Sequence, residues 1–500
     1  MKSIKVILAL VLSVVMILTM TAPAMAAVDE SVVCPEIYVP GFYSTALYAD
    51  KDDPDTLLSI PDKDTIIKAV KDEIVPAFIV YAANKDAYKL GSAISDVTNS
   101  MLEDWFNNSD GTAKDNSGAN FVYPAAENIK YNSKIRFAYD WRCDPIESAA
   151  ELNDFINYVL DCTDEDKVAL SCHSLGAVVV LTYISIYGSD KIMGIAFDSP
   201  AIEGLTSVGE LFSGRTDFEA EGIAALLKMI IGTTEYEELL SSIIDIFSMA
   251  GINGSISDFL DNAYDEVGAV FFTETLVPLF GCWPSVWTMI PDEYIEAVMA
   301  DIFANEFACS EYDAIKTKIQ NYNTLVRADK IKTLTDFDAA GRVAVVSRYG
   351  YNAVPMTSQW SMLSDTVIET KNSSFGATTT KIGEYFTDEE LAGKDMKYIS
   401  PDKTVDASTC IFKEKTWFIK NAVHTDSSIA SGILSLLLFA SEESTCDNSE
   451  LSRFMIYDKE NGTITTDESV PEKAEKPTML SRIFNFIKAL INKLLDLFRR

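Results

Sequence analysis

Residues 168–187 constrain this chain more than any other stretch. Val168-Ala169-Leu170-Ser171 is a short apolar run of strand character, Cys172-His173-Ser174-Leu175-Gly176 follows at once, and an Ala/Val-rich segment then runs to Tyr187 with the look of a buried helix. A strand that passes into a helix within so few residues must turn sharply, and small residues two before and two after the turn let the two elements approach. Gly176 meets that need after Ser174, while before it Cys172 stands where glycine is usual, a departure but a small side chain. Such a turn lifts the Ser174 hydroxyl above the sheet, where a nucleophile belongs.

The flanking sequence supplies the rest of a sheet. Ile37-Tyr38-Val39 reads as a first core strand ending in Pro40-Gly41-Phe42, and Ile135–Tyr139 and Ile192–Phe197 as two more. Between the first two, residues 65–106 carry helical apolar spacing at Ile66, Ile67, Val70 and Ile74, and Asn107–Asn120 is a polar loop, so about 60–125 is an insertion. Pro145 opens a helix through Leu152, Phe155, Ile156 and Val159. Strands alternating with helices predict a mostly parallel sheet covered by helices on both faces. From about Gly204 to Asp336 the alternation stops and apolar clusters such as Leu226–Ile231 and Phe280–Trp287 predict an inserted helical cap. The sheet resumes at Arg342–Ser347, a helix-like stretch spans Ala377–Phe386, and Thr416–Lys420 is a last strand.

The expected organisation is a signal peptide over 1–26, a core in two parts (27–203 and 338–456), a cap over 204–337, a linker over 457–478 and an amphipathic basic helix over 479–500. Lys2 and Lys5, the apolar run Val6–Met20 and Ala24-Met25-Ala26 carry the export expectation, and no later stretch is apolar for the length of a bilayer. With 75 acidic against 41 basic residues the chain is a poor partner for nucleic acid. Eight cysteines in an exported chain permit disulfides whose pairing the sequence leaves open, and Cys172 is expected to stay a buried thiol. Two histidines and no Cys-x-x-Cys spacing give zinc almost nothing to bind, so no metal and no organic cofactor is expected.

A serine nucleophile needs a base, and only His173 and His424 exist. His173 adjoins Ser174 and should project elsewhere; His424 follows the last strand and is the expected base. Three aspartates compete to orient it. Asp365 comes in the first loop after the strand at 342–347, Asp402 is nearer His424 in sequence, and Asp198 ends an earlier strand. Element order favours Asp365 and leaves Asp402 as its main alternative.

The runs Tyr38–Phe42, Phe137-Ala138-Tyr139-Asp140-Trp141-Arg142 and Cys172–Gly176 resemble the lecithin:cholesterol acyltransferase and related lipase branch of the α/β-hydrolases. Over roughly residues 34–200 and 340–430, the resemblance implies the α/β-hydrolase fold, an acyl-ester or lipid substrate, a cap over an acyl pocket and an oxyanion hole from the backbone N–H groups of Phe42 and Leu175. Asp402, in Pro401-Asp402-Lys403-Thr404-Val405, resembles that family's Gly-Asp-Gly-Thr-Val run.

The expectation is therefore a secreted serine carboxylic-ester hydrolase, lipase- or esterase-like. Acyl transfer with the same three residues is the near alternative, and a surface or substrate-binding protein that keeps the fold without turnover is the distant one. In the cap, Phe271, Phe272, Phe280, Trp283 and Trp287 are candidates for an apolar pocket. The tail Leu480–Arg500 holds five basic residues against Asp496 beside an apolar face, which suits either peripheral membrane contact or docking on the protein itself.

Overall fold

The computed structural model describes residues 34–59, 61, 63–215, 238, 264–355, 357–426, 428–440 and 443–469. The signal-peptide pattern, the Leu226–Ile231 cluster, the part of the expected linker beyond 469 and the basic tail lie outside them.

Eight strands make one sheet: β1 Glu36–Val39, β2 Lys134–Arg136, β3 Val168–His173, β4 Ile192–Asp198, β5 Arg342–Tyr349, β6 Thr416–Lys420, β7 Phe454–Asp458 and β8 Thr463–Thr466. Their order is β8-β7-β6-β5-β4-β3-β1-β2. Every neighbouring pair is parallel except β7 and β8. This is an α/β fold with helices on both faces, as the alternation of elements predicts. All six residues of β3 are buried, which explains why its sequence does not alternate with polar residues. Val168, Leu170 and Cys172 join Ile37, Val39, Ile195 and Phe197 in one core, whereas Ala169 joins Ala196, Ala344, Trp417 and Leu434 in another. The second core lies under the helix Ser428–Leu438.

Helix α1, Pro145–Thr163, begins where the sequence places it, with Pro145 in the first turn and the Asp144 side chain accepting from Ile146 N at 2.9 Å. Helix α2, Leu175–Tyr187, is buried over its first ten residues. It is apolar all round because α1, β3 and the helix Lys330–Ala340 surround it. Between β4 and β5 the described chain is helical, from Thr206–Phe212 through Tyr264–Phe271 to Lys330–Ala340, which is the inserted cap. It does not stand apart from the earlier insertion. Helix Tyr264–Phe271 packs on Ala87–Met101, and a Cβ at Gly91 would come within 2.8 Å of Val270 Cβ. Arg327 ties the cap together by donating to the carbonyls of Trp287 and Ile290, both at 2.8 Å, and to Asp292.

Three stretches differ from expectation. Thr416–Lys420 is not the last strand, because β7 and β8 follow it in the sheet. Ala377–Phe386 is not a helix: Thr378–Thr379 pairs antiparallel with Val405–Asp406, and the helical turn in this region is Thr370–Ser373. Three consecutive threonines, stiff at χ1, followed by Gly383 at φ 78° disfavour a helix there. Nor is residue 457 the start of a linker, because β7 runs to Asp458 and β8 turns back to pair with it. The Asn461-Gly462 pair in the connection, with Gly462 at φ 65°, is a hairpin signal. No helix among the described residues is long and apolar enough to cross a membrane.

Candidate active site

Ser174 sits between the last residue of β3 and the first of α2 at φ 54°, ψ −123°, a conformation rare outside glycine. The turn is pinned from three sides: Ser174 N donates to Asp198 O at 3.1 Å, and Ser174 O accepts from Ala177 N and Ala201 N at 3.0 and 3.2 Å. Gly176 is required sterically, since a Cβ there would lie 2.2 Å from Val39 O and 2.6 Å from Pro40 O. Cys172 is fully buried with its thiol 3.7 Å from Ala196 O, and burial pushes that thiol well above its usual range. All eight cysteines are unpaired in the structure.

Ser174, His424 and Asp365 are brought together from 250 and 59 residues apart. His424 Nε2 lies 2.9 Å from Ser174 Oγ, and His424 Nδ1 lies 2.7 Å from Asp365 Oδ2. All three side chains are buried. Asp365 Oδ1 accepts from Val367 N at 3.0 Å and Ile368 N at 2.7 Å, and Asp365 O accepts from His424 N at 2.7 Å. Burial opposes ionisation of this carboxyl, but the histidine and the two backbone N–H groups outweigh it and hold Asp365 below the usual carboxylate range. A carboxylate in that state keeps a proton on Nδ1 and leaves Nε2 facing the serine hydroxyl, the tautomer that can accept its proton.

The other two aspartates have different partners. Asp402 Oδ2 pairs with Lys420 Nζ at 2.7 Å, while its Oδ1 accepts from Ser400 Oγ at 2.6 Å and Thr404 Oγ1 at 2.7 Å. Asp198 forms a two-point contact with Arg348, Nε to Oδ1 at 3.0 Å and Nη2 to Oδ2 at 2.5 Å. His173 is fully buried, with its ring centroid 4.6 Å from that of His424, and burial first, then the neighbouring His424 imidazole, hold it well below the usual histidine range. It is a neutral neighbour of the site.

Leu175 is the first residue of α2, so its N–H has no carbonyl within the helix to meet. Phe42 follows Gly41, where a Cβ would fall 2.7 Å from Ser174 Cβ. The turn that carries Phe42 is gripped by the segment leaving β2: Tyr139 OH donates to Pro40 O at 2.8 Å, Trp141 Nε1 to Thr45 O at 3.0 Å, and Arg136 to Ser44 O. This explains the Phe137–Arg142 run. Its Asp140 and Arg142 pair through two contacts, at 3.0 and 2.7 Å, and the buried Arg142 also donates to Ser117 Oγ at 2.8 Å. The cap reaches the same turn, with the Phe42 ring 4.4 Å from Trp141 and 6.1 Å from Trp283. Trp283 Nε1 donates to Trp105 O at 3.1 Å and Phe280 packs edge-on against the Trp283 ring. Trp287 packs against Phe212 and Phe303 and donates Nε1 to Gly281 O at 2.8 Å. The expected pocket aromatics therefore include well-packed residues whose indole N–H groups are satisfied.

Sequence reasoning missed Arg348. A charged residue in the apolar strand β5, in Ser347-Arg348-Tyr349, is the signal that could have found it, because arginine is almost never fully buried without a partner.

No family model matches the chain, and comparison with curated proteins finds no match. Among solved structures, one described as the crystal structure of the Tle4-Tli4 complex is similar, with a TM-score of 0.20 and 14% identity. The alignment covers 41% of this chain and 54% of that one, so it spans about half of the other chain's length.

Proposed function

We propose that this chain is a serine carboxylic-ester hydrolase in which Ser174 forms an acyl-enzyme. The observation that carries the reading is the unbroken line of contacts from Ser174 Oγ to His424 Nε2, at 2.9 Å, and from His424 Nδ1 to Asp365, at 2.7 Å. In this reading His424 takes the Ser174 proton as Oγ attacks the ester carbonyl, and Asp365 stabilises the imidazolium that results. The N–H groups of Leu175 and Phe42 receive the negative charge on the carbonyl oxygen. The imidazolium then returns the proton to the departing alcohol, and water attacks the acyl-enzyme with His424 again as base. The residues that do this need no metal or organic cofactor for any step. An acyl-ester or lipid substrate is proposed from the resemblance of the core runs, and action outside the cell from the Lys2–Ala26 pattern.

The test is covalent. A fluorophosphonate probe should label the wild-type chain and leave Ser174→Ala unlabelled, and the same variant should lose hydrolysis of a short-chain ester by on the order of 10⁴-fold or more. Ester turnover that survives Ser174→Ala in a folded protein would overturn the reading.

A further inference from the structure

Asp198 and Arg348 are both fully buried at the ends of adjacent strands, β4 and β5. Taking two ions out of water is costly, and an apolar pair of similar size would often serve stability as well. What the ions do that an apolar pair cannot is aim donors. With Nε and Nη2 committed to Asp198, Arg348 Nη1 donates to Val423 O at 2.6 Å and to Asp426 O at 2.8 Å, the carbonyls on either side of His424. His424 N donates to Asp365 O at 2.7 Å. Residues 421–426 form a connection without helix or strand of their own, so these three contacts fix the backbone that presents the imidazole. The Arg348 backbone is held in turn by its place in β5 beside β6 and by its carbonyl, which accepts from Thr370 Oγ1 of the turn Thr370–Ser373 at 3.1 Å.

We infer that Asp198 and Arg348 are positioning residues for His424: Asp198 orients the guanidinium, and the guanidinium clamps the loop so that Nε2 stays within reach of Ser174. The inference rests on the reading of His424 as the base. A lysine at 348 keeps the charge but offers no planar fork, so it cannot meet a carboxylate at two points and two carbonyls together.

Two variants and two readouts test it. In Arg348→Lys, and in the charge-neutral double variant Asp198→Asn with Arg348→Gln, kcat for a short-chain ester should fall on the order of 10- to 100-fold while KM changes by no more than about twofold. The double variant leaves no unpaired buried charge, so it guards against simple unfolding. The second readout is the Nδ1 proton of His424, observed by NMR in full-length protein with labelled histidine, where only two histidines contribute. Held against Asp365, that proton should resonate far downfield in wild type, and in both variants it should move upfield or broaden. Wild-type kcat with an unmoved resonance in the folded double variant would overturn the clamp. Surviving turnover in Ser174→Ala would instead overturn the hydrolase reading, and the resonance would still decide whether Arg348 holds the loop.

Discussion

Asp365 and Asp402 lie 37 residues apart in the same return half of the core, both buried, both held below the usual carboxylate range against the cost of burial. They differ in the partner. Asp365 faces an imidazole that can change its charge during a reaction, and its second oxygen is occupied by two backbone N–H groups. Asp402 faces the side-chain amine of Lys420 and ties down its own loop through Ser400 and Thr404. A buried, ionised aspartate is thus no mark of catalysis by itself. What it holds decides its work.

The largest expected effect breaks or upholds this comparison directly. Asp365→Asn should reduce ester turnover by about 10³- to 10⁴-fold, because an amide offers Nδ1 the wrong partner and favours the idle tautomer. Asp402→Asn should stay within about threefold of wild type, as expected for a residue that braces structure and touches no reacting atom. Steady-state kinetics on the two folded variants decides it, and a collapse in Asp402→Asn alone would reverse the roles.

A smaller effect sharpens the structural side. Lys420→Met removes the cation from Asp402, and since Lys420 is 20% exposed the loss is moderated by solvent, to about 2 kcal/mol. Chemical denaturation should show that loss while kcat of the folded variant is unchanged. An equal loss of kcat would mean that the Asp402 loop communicates with the site.

The smallest effect is what the two aspartates share. Each carboxyl has its folded-state pKa depressed, so each contributes stability that is complete above the unfolded value of about 3.9 and is lost as pH falls through the folded value. Thermal midpoints measured from pH 5 downward should therefore fall less steeply in Asp365→Asn and in Asp402→Asn than in wild type. Parallel slopes for all three proteins would mean that neither carboxyl is stabilised by folding.

Where sequence order and periodicity decide local structure, this molecule was legible. β3, the turn at Ser174 and α2 follow from a run of apolar residues broken by one glycine with no room for a side chain. The choice of Asp365 from element order selects the residue that the structure places on His424, although the order includes a helix at 377–386 that is not there. The loop after β5 owes its path to Asp365 capping its own turn at Val367 and Ile368, a local device that periodicity does not register. β8 was lost among polar residues because an edge strand carries little apolar signal, its four residues being exposed or half-buried. The Arg348 clamp depends on two strands and a loop separated by up to 228 residues, and no spacing along the chain announces such a meeting.

The backbone at Ser174 carries one more consequence. Its φ of 54° and ψ of −123° lie where a side chain is strained by about 1–3 kcal/mol, and glycine would relieve that strain. Glycine's extra freedom in the unfolded chain offsets only about 1 kcal/mol of the relief. On the proposed reading of Ser174 as nucleophile, stability and activity therefore pull against each other at this one position: the side chain that would do the chemistry is the one the backbone holds under strain.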